Sequence, residues 1–356
     1  MTGLDTQLLL QRLDSRSRRL ITSSLQAAAG PSGEESPTRS LCSAQLIDEY
    51  GVSMQNSRFW DELGAEHDRA LQDHGPELIK RQQALRYFTW TWRWRALPKS
   101  EQFRFLLGHS TPWDLFSAAT KSSDVGDTAW IGVPWTLADR WLYSFATRLL
   151  WRYADRATRG HPSLRLAEPL LGSPLPVVDC GRLISQDLAN TAIELATIDR
   201  GGVRSPGQVL EVGAGYGRTA FAILSLFPDC KYTVVDIEPA LTITRWYLTQ
   251  LFPTDRITFL SPAQINEIPR SSMDLAVSIF SLSEMTPETR DEYLLLFDRV
   301  AAGGLVYLKQ WEQWRNPVDG LLVKFDDYSI PKRWVPLLRE RAPVQTRFIQ
   351  ALWRVP

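Results

Sequence analysis

The residues best suited to chemistry lie in one short stretch, Glu211-Val212-Gly213-Ala214-Gly215-Tyr216-Gly217-Arg218. An acid closes an apolar run (Val209-Leu210), and three glycines follow at alternate positions. Glycine lets a backbone take positive φ and come close to a ligand. A second apolar run, Tyr232-Thr233-Val234-Val235, ends in another acid, Asp236. Two acids flanking a bare turn suit a cationic nucleoside, one bearing an ammonium and a sulfonium. They suit a pyrophosphate poorly, because Glu211 would repel it. The spacing also departs from the dinucleotide fingerprint G-x-G-x-x-G: the third glycine comes one residue early and Arg218 fills its place. A nicotinamide-dependent enzyme is therefore disfavoured, and no G-x-x-x-x-G-K-[ST] phosphate loop occurs.

These residues need a strand–turn–helix frame, and the surrounding pattern predicts one. Strands are expected at Gln208–Val212, Lys231–Asp236, Ile257–Leu260, Met273–Phe280 and Leu305–Leu308. Helices are expected at Arg218–Leu226, Pro239–Leu251 and Pro287–Val300. Thr286, Pro287 and Glu288 supply a cap, a preset φ and a charge that favours the positive end of the helix dipole. Such alternation implies a mostly parallel sheet with right-handed crossovers and helices on both faces. An antiparallel edge pair is expected from Leu321–Asp326 and Gln345–Val355. Ligands of such sheets bind at the carboxyl ends of the strands, where the strand order reverses.

Upstream the period changes. Residues 41–175 read as a helical N-terminal domain, with apolar side chains at three and four from Leu46 to about Thr158, for example Leu78, Leu85, Phe88 and Trp92. It is dense in aromatics: Phe59, Trp60, Tyr87, Phe88, Trp90, Trp92, Trp94, Trp113, Trp130, Trp135, Trp141, Tyr143, Trp151 and Tyr153. Their spacing reads mainly as core; a sugar-stacking surface is the other reading. A proline-containing stretch from His161 to Pro176 reads as an extended linker, and the glycine-motif domain takes up 176–356. Residues 1–40 are expected to be mobile, with a loosely attached helix at Leu8–Leu20.

Composition narrows the partners. Forty basic and forty acidic side chains cancel, so no basic field points to nucleic acid. Cys42, Cys180 and Cys230 form no C-x-x-C, and the four histidines have no partner at a metal spacing, so no metal is expected. No apolar run is long enough to span a membrane, and no signal peptide is legible, so a cytoplasmic protein is the default. Oligomeric state is open, a homo-oligomer included.

The ordered set of acid, three glycines and strand-end acid resembles motif I of the class I S-adenosylmethionine methyltransferases. Together with Gly181-Arg182-Leu183-Ile184-Ser185-Gln186-Asp187-Leu188, Val235-Asp236-Ile237-Glu238-Pro239 and Ser281-Leu282-Ser283-Glu284-Met285, it is similar to a family of sugar O-methyltransferases, some of which modify deoxysugars in bacterial natural-product biosynthesis. The similarity runs from about Glu168 to Trp334. It implies a Rossmann-like fold, S-adenosyl-L-methionine as cofactor and O-methylation of a sugar hydroxyl, on a free sugar, a nucleotide sugar or a glycoside. It also implies that Glu211, Gly213, Ala214, Gly215, Tyr216, Gly217, Asp236 and Ile237 hold the cofactor, with Asp236 on the ribose. Where relatives carry an acid for the adenine amine, this chain has Leu260-Ser261-Pro262-Ala263-Gln264, so Ser261 or Gln264 would have to serve.

A sugar hydroxyl must give up its proton, so a base is needed near it. Glu284, just past the fourth strand, is the leading candidate; its other reading is a cap partner. Asp187 contacts cofactor or acceptor, or caps its helix. His161 reaches the cleft as a base, or is solvated. Ser283, Lys309 and Gln310 are expected on the ligand rim as acceptor contacts. Arg218 meets the cofactor carboxylate or faces water. The rivals are a methyltransferase for a non-sugar hydroxyl or amine, and a non-catalytic scaffold of the same fold.

Overall fold

The computed structural model describes residues 57–89, 100–122, 131 and 133–356. The expected mobile segment, the Leu8–Leu20 helix, Cys42, Leu46, Trp90, Trp92, Trp94 and Trp130 lie outside the described residues.

A seven-stranded sheet forms the frame. Its strands are β3 (Gln208–Val212), β4 (Lys231–Val235), β5 (Ile257–Leu260), β6 (Leu275–Ile279), β7 (Leu305–Trp311), β10 (Val335–Arg341) and β11 (Phe348–Arg354), in the order β10-β11-β7-β6-β3-β4-β5. β3 to β7 are parallel; β11 runs antiparallel to both β7 and β10. The central strands are covered on both faces, which is why β6 (Leu-Ala-Val-Ser-Ile) is buried at every position. The chain steps outward from β3 through β4 to β5, then returns to the other side of β3 with β6. The order therefore reverses at the β3/β6 boundary, the place where open α/β sheets bind ligands.

The flanking helices begin where their caps dictate. Gly217 caps α6 (Arg218–Leu226), Pro239 precedes α7 (Ala240–Thr249), and the Thr286 hydroxyl accepts from Thr289 N–H to start α8 (Pro287–Val300). Ser185 does the same for α5 (Gln186–Asp199). Ahead of the sheet come α1 (Arg58–His74), short 3-10 turns at Pro76–Leu78 and Ala84–Phe88, then α2 (Glu101–Gly108), α3 (Pro112–Lys121) and α4 (Leu137–Thr158). Thr111–Asp114 and Thr136–Asp139 form reciprocal capping boxes at the starts of α3 and α4. One cluster of buried side chains runs unbroken from Ala70 and Leu85, through Leu149 and Leu150 of α4, to Val209, Val277 and Leu352 of the sheet.

One expectation is refined and three need correction. The helical pattern through Leu78, Leu85 and Phe88 takes the form of two 3-10 turns, Pro76–Leu78 and Ala84–Phe88, because Gly75 at φ 70° and Pro76 end α1 and reset the chain. Between His161 and α5 the chain holds a 3-10 turn at Pro162–Arg165 and a hairpin of β1 (Val177–Asp179) and β2 (Arg182–Ile184). Cys180 and Gly181, both at positive φ, close it as a tight two-residue turn. The outer edge strand is β10, not Leu321–Asp326; Leu322–Lys324 is β9, which pairs with β8 (Gln313–Arg315) in a separate hairpin. Finally, β7 continues to Trp311, because β11 pairs with it up to the Trp311–Phe348 partners. Lys309 and Gln310 are therefore interior strand residues rather than rim residues.

Candidate active site

A cleft opens at the carboxyl ends of β3, β4 and β6. Its floor is the glycine turn. Gly213 sits at φ 77° with its N–H donated to the Val235 carbonyl (2.9 Å), and a Cβ there would lie 2.3 Å from the Ser281 Cβ. Gly215 (φ 62°) donates its N–H to Asp236 Oδ2 (3.1 Å), and Ile237 N–H donates to Asp236 Oδ1 (2.9 Å). Gly217, at φ 93°, turns the chain into α6. The loop is thus fixed by β6 on one side and by the β4 acid on the other, leaving bare backbone toward the cleft. Val212, Gly213, Ala214 and Gly215 line it, with Glu211, Asp236 and Ile237.

The acids of this floor are poorly compensated. Glu211 is 2 % exposed and accepts from the Tyr232 hydroxyl (2.8 Å). Burial pushes its carboxyl up to about 7, although the Tyr232 bond and the Arg218 charge favour ionisation. Burial likewise raises Asp236 to about 7 against the backbone N–H groups of Ile237, Gly215 and Ala214. Arg218 lines the cleft, but its guanidinium is engaged by Glu194 (2.6 Å) and Thr191 (2.6 Å). Buried carboxyls without a dedicated cation favour a ligand that brings positive charge.

Past β6 the chain makes a 3-10 turn, Leu282–Glu284, which aims Glu284 back into the cleft. Glu284 is 4 % exposed, and burial raises its carboxyl to about 8; the Tyr87 and Trp60 side chains pull the other way, and the charge of Asp236 adds to the rise. The Tyr87 hydroxyl donates to Glu284 Oε1. Tyr87 belongs to a roof laid over the cleft by the N-terminal part: Ser57, Trp60, Tyr87 and Phe88. Trp60 stands perpendicular to Tyr87 at 5.5 Å, and the Phe88 main chain lies against Gly215. Phe280, Met285, Thr289 and Tyr293 complete the wall.

Other sequence candidates fall elsewhere. Tyr216 is buried and points away from the cleft, donating its hydroxyl to Asp187 Oδ2 (2.9 Å) and packing edge-on to Tyr247 at 5.1 Å. Lys80 lies over both rings and pairs with the buried Glu168, which also accepts from Ser185 Oγ at 2.6 Å. Asp187 is therefore part of a buried brace under the glycine turn, one that reaches the roof segment through Lys80. Lys309 is buried against Glu194 (2.7 Å) and Gln345, and Gln310 accepts from Ser283 N–H and Oγ (both 3.2 Å) and donates to Ser278 O (3.0 Å). Ser283, Lys309 and Gln310 thus tie β6 to β7 and α5 beneath the site. His161 Nε2 faces Asp199 (3.2 Å) at the far end of α5, about 18 Å along the axis from Asp187. Ser261 and Gln264 cap one another, and Pro262 between them reaches the cleft instead. Ser57 carries no signal in the sequence, and Trp60, Tyr87 and Phe88 belong to the aromatic set that reads mainly as core, with a sugar-stacking surface as the alternative. Aromatic density was the available signal, but it could not select these rings among many.

Among the described residues, no group of three His, Cys, Asp or Glu side chains converges as metal ligands would, and no helix is long and apolar enough to cross a membrane. Residues 210–306 match a family described as a methyltransferase domain. No curated protein matches the chain. Similar solved structures include the [4+2]-cyclase SpnF (15 % identity, 48 % of this chain and 83 % of that one, TM-score 0.40). They also include a geranyl diphosphate methyltransferase in complex with S-adenosylmethionine (11 %, 48 % and 86 %, 0.39). A third is a methyltransferase from Aquifex aeolicus (12 %, 46 % and 89 %, 0.35). The stretch matched by the family begins at Leu210 and takes in the glycine turn, Asp236 and Glu284, the residues that build the cleft. The stretch that resembles a methyltransferase domain is thus the Rossmann-like part of the chain that carries the cleft.

Proposed function

We propose that the protein transfers a methyl group to a sugar hydroxyl, of a free sugar, a nucleotide sugar or a glycoside. The observation that carries this reading is Glu284: a buried carboxyl with a raised pKa, facing the same cleft as the glycine turn and Asp236. Once ionised, as pH rises toward about 8, such a carboxyl is basic enough to take a proton from an attacking oxygen. Support for a sugar comes from the mixed lining. Ser57, Tyr87 and Glu284 offer hydrogen bonds, and Trp60 offers a flat apolar face.

The cradle fits the cofactor. Gly213 leaves no room for a side chain, Gly215 exposes backbone toward the cleft, and Glu211 and Asp236 await positive charge or hydroxyl donors. When bound, S-adenosylmethionine supplies a methyl group activated by its positive sulfur. Glu211 would hold its ammonium end, Asp236 its ribose hydroxyls, and Ile237 with Pro262 the adenine side. Arg218, Asp187 and Tyr216 act on it indirectly by fixing the turn, since each is engaged in the buried network.

A methyltransfer assay with a panel of monosaccharides, nucleotide sugars and glycosides tests the reading. Methylation of one of these supports it. Cofactor binding with turnover confined to phenols or amines would replace it with the second reading, a non-sugar acceptor, which the apolar wall of Phe280, Met285 and Tyr293 favours.

A further inference from the structure

We propose that the Tyr87 hydroxyl occupies the seat of the acceptor hydroxyl on Glu284, and that Ser57, Trp60 and Glu284 form the acceptor subsite once Tyr87 swings out. The identity of the acceptor as a sugar rests on the reading above; the seat itself does not.

Three observations converge. First, Tyr87 is divided between two environments. As a whole residue it is 42 % exposed, yet its hydroxyl reaches Oε1 of a carboxyl that is 4 % exposed. A residue with that much solvent contact can turn outward and have its hydroxyl hydrated, so displacement leaves no buried donor unpaired. Second, Ser57 Oγ is buried, with no hydrogen-bond partner, in a residue 8 % exposed that lines the same cleft. A buried hydroxyl without a partner costs stability unless a ligand supplies one. Third, Trp60 lines the same cleft, close to both Tyr87 and the Glu284 carboxyl. The subsite therefore offers one carboxyl, one hydroxyl and one flat ring within a single recess. A pyranose with neighbouring hydroxyls meets all three: one hydroxyl donates to Glu284 Oε1, a neighbour pairs with Ser57 Oγ, and a C–H face covers Trp60.

The consequence is a competition. While the phenol sits on Glu284 Oε1, it fills the place that an acceptor hydroxyl would take there. Removing the phenol hydroxyl should then strengthen acceptor binding, whereas a Tyr87 that held the acceptor directly would weaken it on removal. Removing Ser57 Oγ should weaken it. Glu211 and Asp236, the other carboxyls of the cleft, lie on the floor beside the glycine turn and are common to all variants.

The test uses the full chain saturated with S-adenosylhomocysteine, which cannot transfer a methyl group. Wild type, Tyr87→Phe and Ser57→Ala are first matched for affinity to that ligand, as a check on folding. Methyl glycopyranosides are then titrated by calorimetry, with catechol as a non-sugar probe. The expected result is about three- to tenfold tighter glycoside binding by Tyr87→Phe and about fivefold weaker binding by Ser57→Ala, each for one hydrogen bond gained or lost. Weaker or unchanged binding by Tyr87→Phe overturns the seat. Catechol binding that tightens in Tyr87→Phe, with glycosides ignored by all variants, keeps the seat and overturns the sugar reading. Independently of any acceptor, NMR of the chain labelled with ¹³C at the glutamate carboxyls follows the Glu284 titration. Its midpoint should rise in Tyr87→Phe, because a donor to the charged form is gone; an unmoved midpoint overturns the phenol–carboxylate bond and the proposal with it.

Discussion

The floor and the roof of the cleft are built in opposite ways. The floor is local. Glu211, Gly213, Gly215 and Gly217 are near neighbours in sequence, and Asp236 comes one helix later. Its geometry is set by strand ends, positive φ and backbone hydrogen bonds. The roof is remote. Ser57, Trp60, Tyr87 and Phe88 come from α1 and a 3-10 turn and meet the floor only through tertiary packing and the Lys80–Glu168 brace. A backbone-built floor suits a ligand that never changes, and a side-chain-built roof suits one that differs between enzymes. On the proposed function, cofactor recognition falls to the part governed by steric necessity and acceptor choice to the part where side chains can be exchanged at less cost to the frame.

The largest expected effect lies where floor and roof meet. Glu284→Gln keeps the size and the buried position but removes the base. Turnover should fall by about 10²–10⁴, while cofactor affinity, measured by calorimetry, stays within about twofold of wild type. Retained turnover would move the base elsewhere and leave Glu284 as a structural partner of the roof. On the floor, Asp236→Ala removes the acceptor of the Gly215 and Ile237 N–H groups and the proposed ribose contact. Cofactor affinity should drop on the order of 100-fold, the cost of losing charge-assisted hydrogen bonds. An unchanged dissociation constant would remove Asp236 from the site.

Gly213→Ala sharpens the claim that the floor is steric. The added methyl would lie against Ser281 at a φ of 77°. Strain of this kind costs about 1–3 kcal/mol, more where a clash adds to it. Denaturant unfolding should show that loss, whereas an alanine at Gly181, also at positive φ but with nothing nearby, should lose less. Equal losses at both positions would mean that φ alone matters and that the close approach to Ser281 does not.

Legibility in the sequence divides along the same line. The strand Gln208–Val212, the helix Arg218–Leu226, the strand Ile257–Leu260 and the helix Pro287–Val300 have the bounds that apolar runs, glycines and caps imply. The glycine turn and Asp236 could be read because a parallel strand end forces its acid and its turn together. Lys309 and Gln310 misled because the end of β7 is set by pairing with β11, far along the chain, and no local residue marks it. The edge strand β10 was missed for the same reason: Val335–Arg341 carries Pro336 and a run of charges, which suit an exposed edge and hide the strand pattern. His161 was a lone titratable residue beside prolines, and nothing in its neighbourhood encoded that Asp199 would take it. Tyr87 and Trp60 could not be singled out, since only the packing of α1 against the 3-10 turn brings them over Glu284.

The smallest effect is a pH dependence that separates the two layers. In the fold Glu211 and Asp236 are raised to about 7 by burial, above their ordinary carboxylate values. A raised carboxyl pKa means that the fold prefers the protonated form. The stability this contributes is full below the unfolded values near 4 and is lost as pH rises through about 7. A cationic cofactor prefers the ionised forms, so its binding releases these protons. From pH 8 to pH 6 its affinity should fall about tenfold for each carboxyl that must ionise. Calorimetry in two buffers of different ionisation enthalpy measures the proton release directly. Proton release on cofactor binding that drops in Asp236→Asn, leaving the Glu211 share, but is unchanged in Tyr87→Phe would assign the effect to the floor. Release that disappears instead when the roof is altered would mean that Glu284, raised to about 8, titrates with the cofactor and that the two layers act as one.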